Sequence, residues 1–203
     1  MFQEDLFLKV VTGHKVETRR TGGLNQINTD PDGYRFTEML QNPEVIRMYD
    51  GEPMCGKDDM PLIKTLKGTF AEFEGFFGDF DTTVVRPRYQ PGEILFLKEP
   101  VGRINGHLFR AYDYPPTSKM RTEFKGWANK MFMRADDARH FIKITDVRCE
   151  RAWEITEEGA IREGVANRAE FEKKWAEING ISSWKPNPYV FVYGFEYLPN
   201  YKI

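Results

Sequence analysis

The stretch Gly13-His14-Lys15-Val16-Glu17-Thr18-Arg19-Arg20 concentrates three cations, a hydroxyl and a carboxylate in a few residues. Cations gathered this closely suit an anionic ligand, a phosphate above all. The plain alternative is a solvated basic loop in which Thr18 is a turn hydroxyl. Other chemistries lack their residues. No GxxxxGK[ST] or GxGxxG fingerprint is found, and there is no HExxH. His14, His107 and His140 are too scattered for a zinc site. Cys55 and Cys149 have no CxxC partner. Two free thiols in a reducing cytoplasm is the plainer reading, with a disulfide between them left open. Cys149 lies in a strand-like segment and reads as core. Neither metal nor cofactor is expected.

Charge is uneven along the chain. Residues 119–151 carry nine cations against five acids, and residues 152–177 carry seven acids against four cations. The whole chain of 203 residues has a net charge of −2, so the basic excess of a duplex-DNA coat is missing. A local basic site for a small or single-stranded ligand remains compatible. No run of about 18 apolar residues is present, so no spanning helix is expected. Glu4 and Asp5 precede the first apolar stretch, the reverse of a secretory signal, and the expected location is the cytoplasm.

These residues need elements to position them. Leu6, Val10 and Val11 suit a short helix ended by Gly13, and the basic segment then runs into an extended stretch. Residues 21–88 are rich in turn signals, among them Gly22-Gly23, Asp30-Pro31-Asp32-Gly33, Asn42-Pro43 and Asp50-Gly51. Short helices are expected at 36–41 and 44–49. The tract 70–80 sets five Phe among acids and glycines. It reads as a loop tucking its rings into the core, with a lid or stacking platform as the sharper alternative. Beyond it, strands are expected at 93–99, 106–113, 139–152 and 188–198. The first is expected to be buried on both faces. Asp146 marks a bulge, and Gly194 a bulge or a close backbone approach. Thr156 caps a helix over 157–163 that Gly164 lets end, and Asn167 with Glu170 forms a capping box. Phe171, Trp175 and Ile178 lie on one face of the helix closed by Gly180. Trp184, in a Ser-Ser-Trp-Lys-Pro loop, is the tryptophan best placed to rim a pocket. The pattern is α+β: a small, mostly antiparallel barrel with short flanking helices.

Gly13-x-Lys15-x-x-Thr18-x-Arg20 resembles the GxKxxExR-type motif of the ASCH superfamily, a branch of the PUA-like fold. Thr18 replaces the usual acid, as in the ASCH subgroup that hydrolyses N4-acetylcytidine. The C-terminal half is similar to the longer ASCH proteins of phages and prophages. The matching runs include Tyr89-Gln90-Pro91-Gly92-Glu93, Leu97-Lys98-Glu99, Asp146-Val147-Arg148-Cys149-Glu150-Arg151 and Ser183-Trp184-Lys185-Pro186-Asn187-Pro188-Tyr189-Val190. The similarity covers 5–20 and about 89–198, so 21–88 is read as an insertion on a single domain spanning 1–203. The pattern is broken at Met133-Arg134, where Met-Pro is usual, and at Lys98, where arginine is usual.

The resemblance implies a catalytic set of Lys15, Thr18 and Glu163, the last from the A-x-x-E form of Ala160-Ile161-Arg162-Glu163. Lys15 would deprotonate Thr18 if burial or Arg19 and Arg20 lower its pKa. Glu163 would hold the lysine or shuttle a proton to the leaving amine. Alternatively, Lys15 and Glu163 activate a water directly. Gly13, Arg19, Arg20, Glu99 and Trp184 form the implied substrate-binding set, with backbone amides after Gly13 receiving an oxyanion. The implied ligand is a modified nucleoside or single-stranded RNA, with hydrolysis of an N4-acylcytidine-type amide. A non-catalytic RNA-binding module and an ASCH-type ribonuclease are the competing readings.

Overall fold

The computed structural model describes residues 3–46, 48–49, 52–54, 63–76 and 82–201. Cys55, Phe77 and Phe80 lie outside the described residues. Helix α1 (Glu4–Val11) and strand β1 (Glu17–Arg20) open the chain, followed by β2 (Tyr34–Gln41). Four short strands come next: β3 (Glu44–Ile46), β4 (Met48–Tyr49), β5 (Glu52–Pro53) and β6 (Ile63–Thr65). β7 (Thr69–Gly75) and β8 (Thr82–Val85) precede β9 (Ile94–Phe96), β10 (Val101–Ile104) and β11 (His107–Arg110). The rest comprises α2 (Lys119–Glu123), β12 (Phe141–Arg151), α3 (Glu157–Arg162), α4 (Arg168–Asn179) and β13 (Tyr189–Leu198).

The chain is mixed α+β with antiparallel sheets and few helices. The main sheet has the order β1-β13-β12-β9, and every pairing in it is antiparallel. Among the described residues no sheet closes on itself. β13 is the hinge of the packing because both of its faces are covered. Tyr189, Phe191, Tyr193 and Phe195 point into one core with Phe7, Val10, Ile142 and Ile144. Val190 and Val192 point into a second core with Ala160, Phe171 and Trp175. A strand buried on both sides reads as a continuous apolar run rather than an alternation, as YVFVYGF does. In β12 the register slips between Ile144 and Asp146. The bulge brings Asp146 opposite Gly194, where a Cβ would lie 2.0 Å from Asp146 Oδ1.

The region 21–88 departs from expectation. Residues 36–41, 44–46 and 48–49 are not helical; they fall in β2, β3 and β4. A register slip in β2 between Phe36 and Met39 lets both pack on the core. That spacing of three mimics a helical face. The Phe-rich tract begins as a strand rather than a loop. Phe70, Ala71 and Phe73 are buried in β7 while Glu72 and Glu74 are half-buried on its outer side. Ala71 and Phe73 belong to the main core, and Phe73 meets Tyr189 edge-on at 5.1 Å. β9 is shorter than expected and its Ile94 is exposed, because it sits at the sheet edge. The segment after β11 turns into a 3-10 helix at Ala111–Asp113.

The helices follow their caps. Thr156 accepts from Gly159 N at 3.0 Å. Asn167 accepts from Glu170 N at 2.9 Å, but the Glu170 carboxylate reaches Ala166 N rather than closing the box on Asn167. Phe171 and Trp175 are buried, while Ile178 is exposed beyond the sheet they cover.

Candidate active site

The turn after α1 places Lys15. Gly13 takes φ 77, a left-handed conformation that favours glycine. The amides of His14 and Lys15 both donate to Lys9 O, at 2.8 and 3.0 Å. Those two amides are engaged within the turn that Gly13 shapes. Val16 N then donates to Arg162 O at 2.9 Å, tying this segment to the end of α3. Glu163 is the C-cap residue of α3, and Gly164 reverses the chain at φ 87.

This geometry buries Lys15 to 1% exposure against Glu163, 148 residues away in sequence. Lys15 Nζ donates to Glu17 O and to Glu163 O, each at 2.7 Å, and pairs with Glu163 Oε2. A cation at a helix C-terminus is favoured by the exposed carbonyls there. Lys9 Nζ adds a second, donating to Gly164 O at 2.6 Å. Glu163 Oε1 accepts from Arg19 N at 2.5 Å and lies 3.4 Å from Arg19 Nη1. Burial depresses the Lys15 pKa from its ordinary value, and the Arg20 and Arg19 charges push the same way while Glu163 opposes them.

Behind this pair lies a network that sequence reasoning missed. Arg19 Nε donates to Glu150 Oε1 at 2.7 Å, and the guanidinium lies 5.7 Å over the Phe171 ring. Glu17 binds Arg148 through both oxygens, at 3.1 and 3.0 Å, and Arg162 Nε at 2.8 Å. Burial pushes the Glu17 pKa up, but hydrogen bonds and charge from Arg148, with Arg162 and Arg19, hold it below the ordinary range. Arg19 is therefore a brace for Glu163, with its side chain 2% exposed. Of its partners, Glu17 is two residues away, while Glu150, Glu163 and Phe171 lie more than a hundred residues away and no local pattern marks them.

Thr18 stands opposite Tyr193 and borders two spaces. One is a chamber of about 30 Å³, roughly one water, shared with Lys15, Glu163 and Trp175. The other is a cleft of about 550 Å³, within the range of small-ligand sites. Arg20 is half-buried and borders both. The structure thus brings Lys15, Thr18, Arg19, Arg20 and Glu163 around one chamber.

Two expected ligand residues lie elsewhere. Glu99 is fully buried and accepts from Arg139 through both oxygens, at 2.8 and 2.9 Å. Asp113 holds the same arginine at 2.6 Å. Glu99 is a structural anion because Arg139 occupies the oxygens a substrate would need. Trp184 packs on Phe171 and Trp175 at 5.9 Å each, a layer behind the chamber, so its ring closes the second core rather than rimming a pocket.

Among the described residues, no group of three or more His, Cys, Asp or Glu could hold a metal ion. None of their helices is long and apolar enough to cross a membrane. No protein-family model matches the chain, and comparison with curated proteins and with solved structures gives no match.

Proposed function

We propose that the chain is an ASCH-type protein with a PUA-like barrel, and that it hydrolyses an N4-acylcytidine-type amide at Lys15, Thr18 and Glu163. The burial of Lys15 against Glu163 beside Thr18 carries this reading. A lysine kept from water, its pKa lowered by burial, gives up its proton more readily than an exposed one, which suits the role of base. The antiparallel sheet β1-β13-β12-β9, covered on one side by α3 and α4, supports the fold assignment. In this reading residues 21–88 are an insertion on one domain, the chemistry needs no cofactor, and the setting is a bacterial or phage-infected cytoplasm.

Once deprotonated, the Lys15 amine takes the Thr18 hydroxyl proton as the threonine oxygen attacks the acyl carbonyl. The C–N bond then breaks, and the proton passes from the Lys15–Glu163 pair to the departing exocyclic amine. A water attacks the resulting threonine ester and returns a proton to Lys15. The C–O bond breaks, the acid leaves, and Thr18 recovers its hydroxyl proton. Glu163, held by Arg19, keeps the lysine in place through both steps.

The test is acyl release from N4-acetylcytidine. Turnover is expected for the native chain, with Lys15→Ala and Thr18→Ala each lowering it by about 10³-fold or more. Absence of turnover by the native chain, or full turnover by Thr18→Ala, refutes the nucleophile assignment.

A further inference from the structure

The wall of the large cleft carries a charge that a neutral nucleoside does not need. Arg20, Arg88 and Lys98 line it and, among the described residues, no carboxylate does, in a chain where acids outnumber Lys and Arg by 31 to 29. Two acids near these walls are engaged by other cations, and Glu93, beside lining Ile94, is half-buried. Glu99, next to Lys98, is held by Arg139, and Glu163 is held by Lys15 and Arg19. The charges of Glu99 and Glu163 are taken up by these partners.

Two of the cations have fixed settings. Arg88 is exposed, with its guanidinium 5.5 Å over the Tyr89 ring. Its backbone N–H donates to Tyr193 Oη at 3.1 Å, and Tyr193 stands opposite Thr18. Arg88 is thereby tied to the strand pair that carries the proposed nucleophile. Lys98 Nζ donates to Met131 O at 2.8 Å and lies 5.4 Å from the Phe96 ring centre. That carbonyl uses one of the three ammonium donors. Neither Arg88 nor Lys98 is within ion-pair distance of an acid among the described residues. Between the cations the walls are aromatic, with Tyr89 and Tyr193 edge-on at 5.4 Å. Flat rings flanked by cations suit a base joined to a phosphate.

We propose that the cleft takes a phosphate-bearing pyrimidine nucleotide, its phosphate held by Arg88 and Lys98. The phosphate belongs to a mononucleotide or to single-stranded RNA. The choice of a pyrimidine rests on the function proposed above, whereas the charge of the ligand rests on the cleft wall alone.

Equilibrium binding of cytidine, cytidine 5′-monophosphate and a short single-stranded RNA tests this without requiring turnover. The monophosphate is expected to bind about ten-fold or more tighter than cytidine, and Arg88→Gln with Lys98→Gln is expected to bring that ratio near one. An RNA that binds tighter still, with affinity falling steeply with salt, supports the proposal and assigns the phosphate to a polynucleotide. An RNA no tighter than the monophosphate supports it with a mononucleotide. Equal affinity for cytidine and its monophosphate overturns it, as does a preference that survives both substitutions or binding of none of the three. Phosphate-dependent binding without acyl release refutes only the hydrolase reading. Acyl release without a phosphate preference refutes only this one.

Discussion

Replacing Lys15 and Glu163, singly and together, probes how strongly the buried pair couples residues 148 apart. Lys15→Met removes the ion pair and two 2.7 Å bonds to carbonyls. It leaves Glu163 with the Arg19 amide at 2.5 Å and the Arg19 guanidinium at 3.4 Å, so the stranded anion is partly compensated. The cost is expected near the lower end of broken buried pairs, about 3 kcal/mol. Glu163→Leu is worse. It leaves Lys15 with two carbonyls and with Arg19 and Arg20 as opposing charges, and about 5 kcal/mol is expected. The double substitution removes both charges and leaves only neutral groups short of partners, at about 2–3 kcal/mol in all. The double variant is therefore expected to be no less stable than either single one. Urea unfolding followed by fluorescence of the four tryptophans measures each difference. Single costs below about 1 kcal/mol, or a double cost equal to the sum, refute the reasoning.

Three further outcomes are expected. The Lys15 pKa is depressed in the fold, so between that value and the ordinary value of about 10.4 the unfolded chain binds more protons, and stability rises with pH. Urea midpoints taken upward from pH 7 are expected to climb more steeply for the native chain than for Lys15→Met; equal slopes count against the buried base. Gly164→Ala places a Cβ at φ 87 and 3.1 Å from Lys15 Cβ, for an expected loss of about 1–2 kcal/mol, and an unchanged melting temperature contradicts it. Glu99→Gln weakens the bidentate grip of Arg139 and is expected to cost about 2 kcal/mol while acyl release stays near native. A loss of turnover as large as that of Lys15→Ala returns Glu99 to the site.

Elements whose signals are short-range were legible. The caps at Thr156 and Asn167, the stop at Gly180 and the bulge beside Asp146 involve neighbours within a few residues or within one strand pair. β2 was misread because its register slip gave Phe36 and Met39 a helical spacing, and a slip is set by the partner strand. Of the site residues, Lys15, Thr18, Arg20 and Glu163 share one chamber. Arg19 lines the same chamber and holds Glu163, while Glu99 and Trp184 are engaged elsewhere.

By itself the sequence determined that Lys15, Thr18, Arg19 and Arg20 come together on one loop and strand, because they adjoin along the chain. It also determined where α3 and α4 begin, because a cap needs only its own helix. Only the tertiary structure decided that Lys15 is buried against Glu163 and Glu99 against Arg139. Both are ordinary charges in the sequence, and what a charge can do depends on what is packed over it and which opposite charge reaches it. The fold alone brings Arg88 and Lys98 to the walls of one cleft, because long-range strand pairing, not spacing, sets which side chains face a common space.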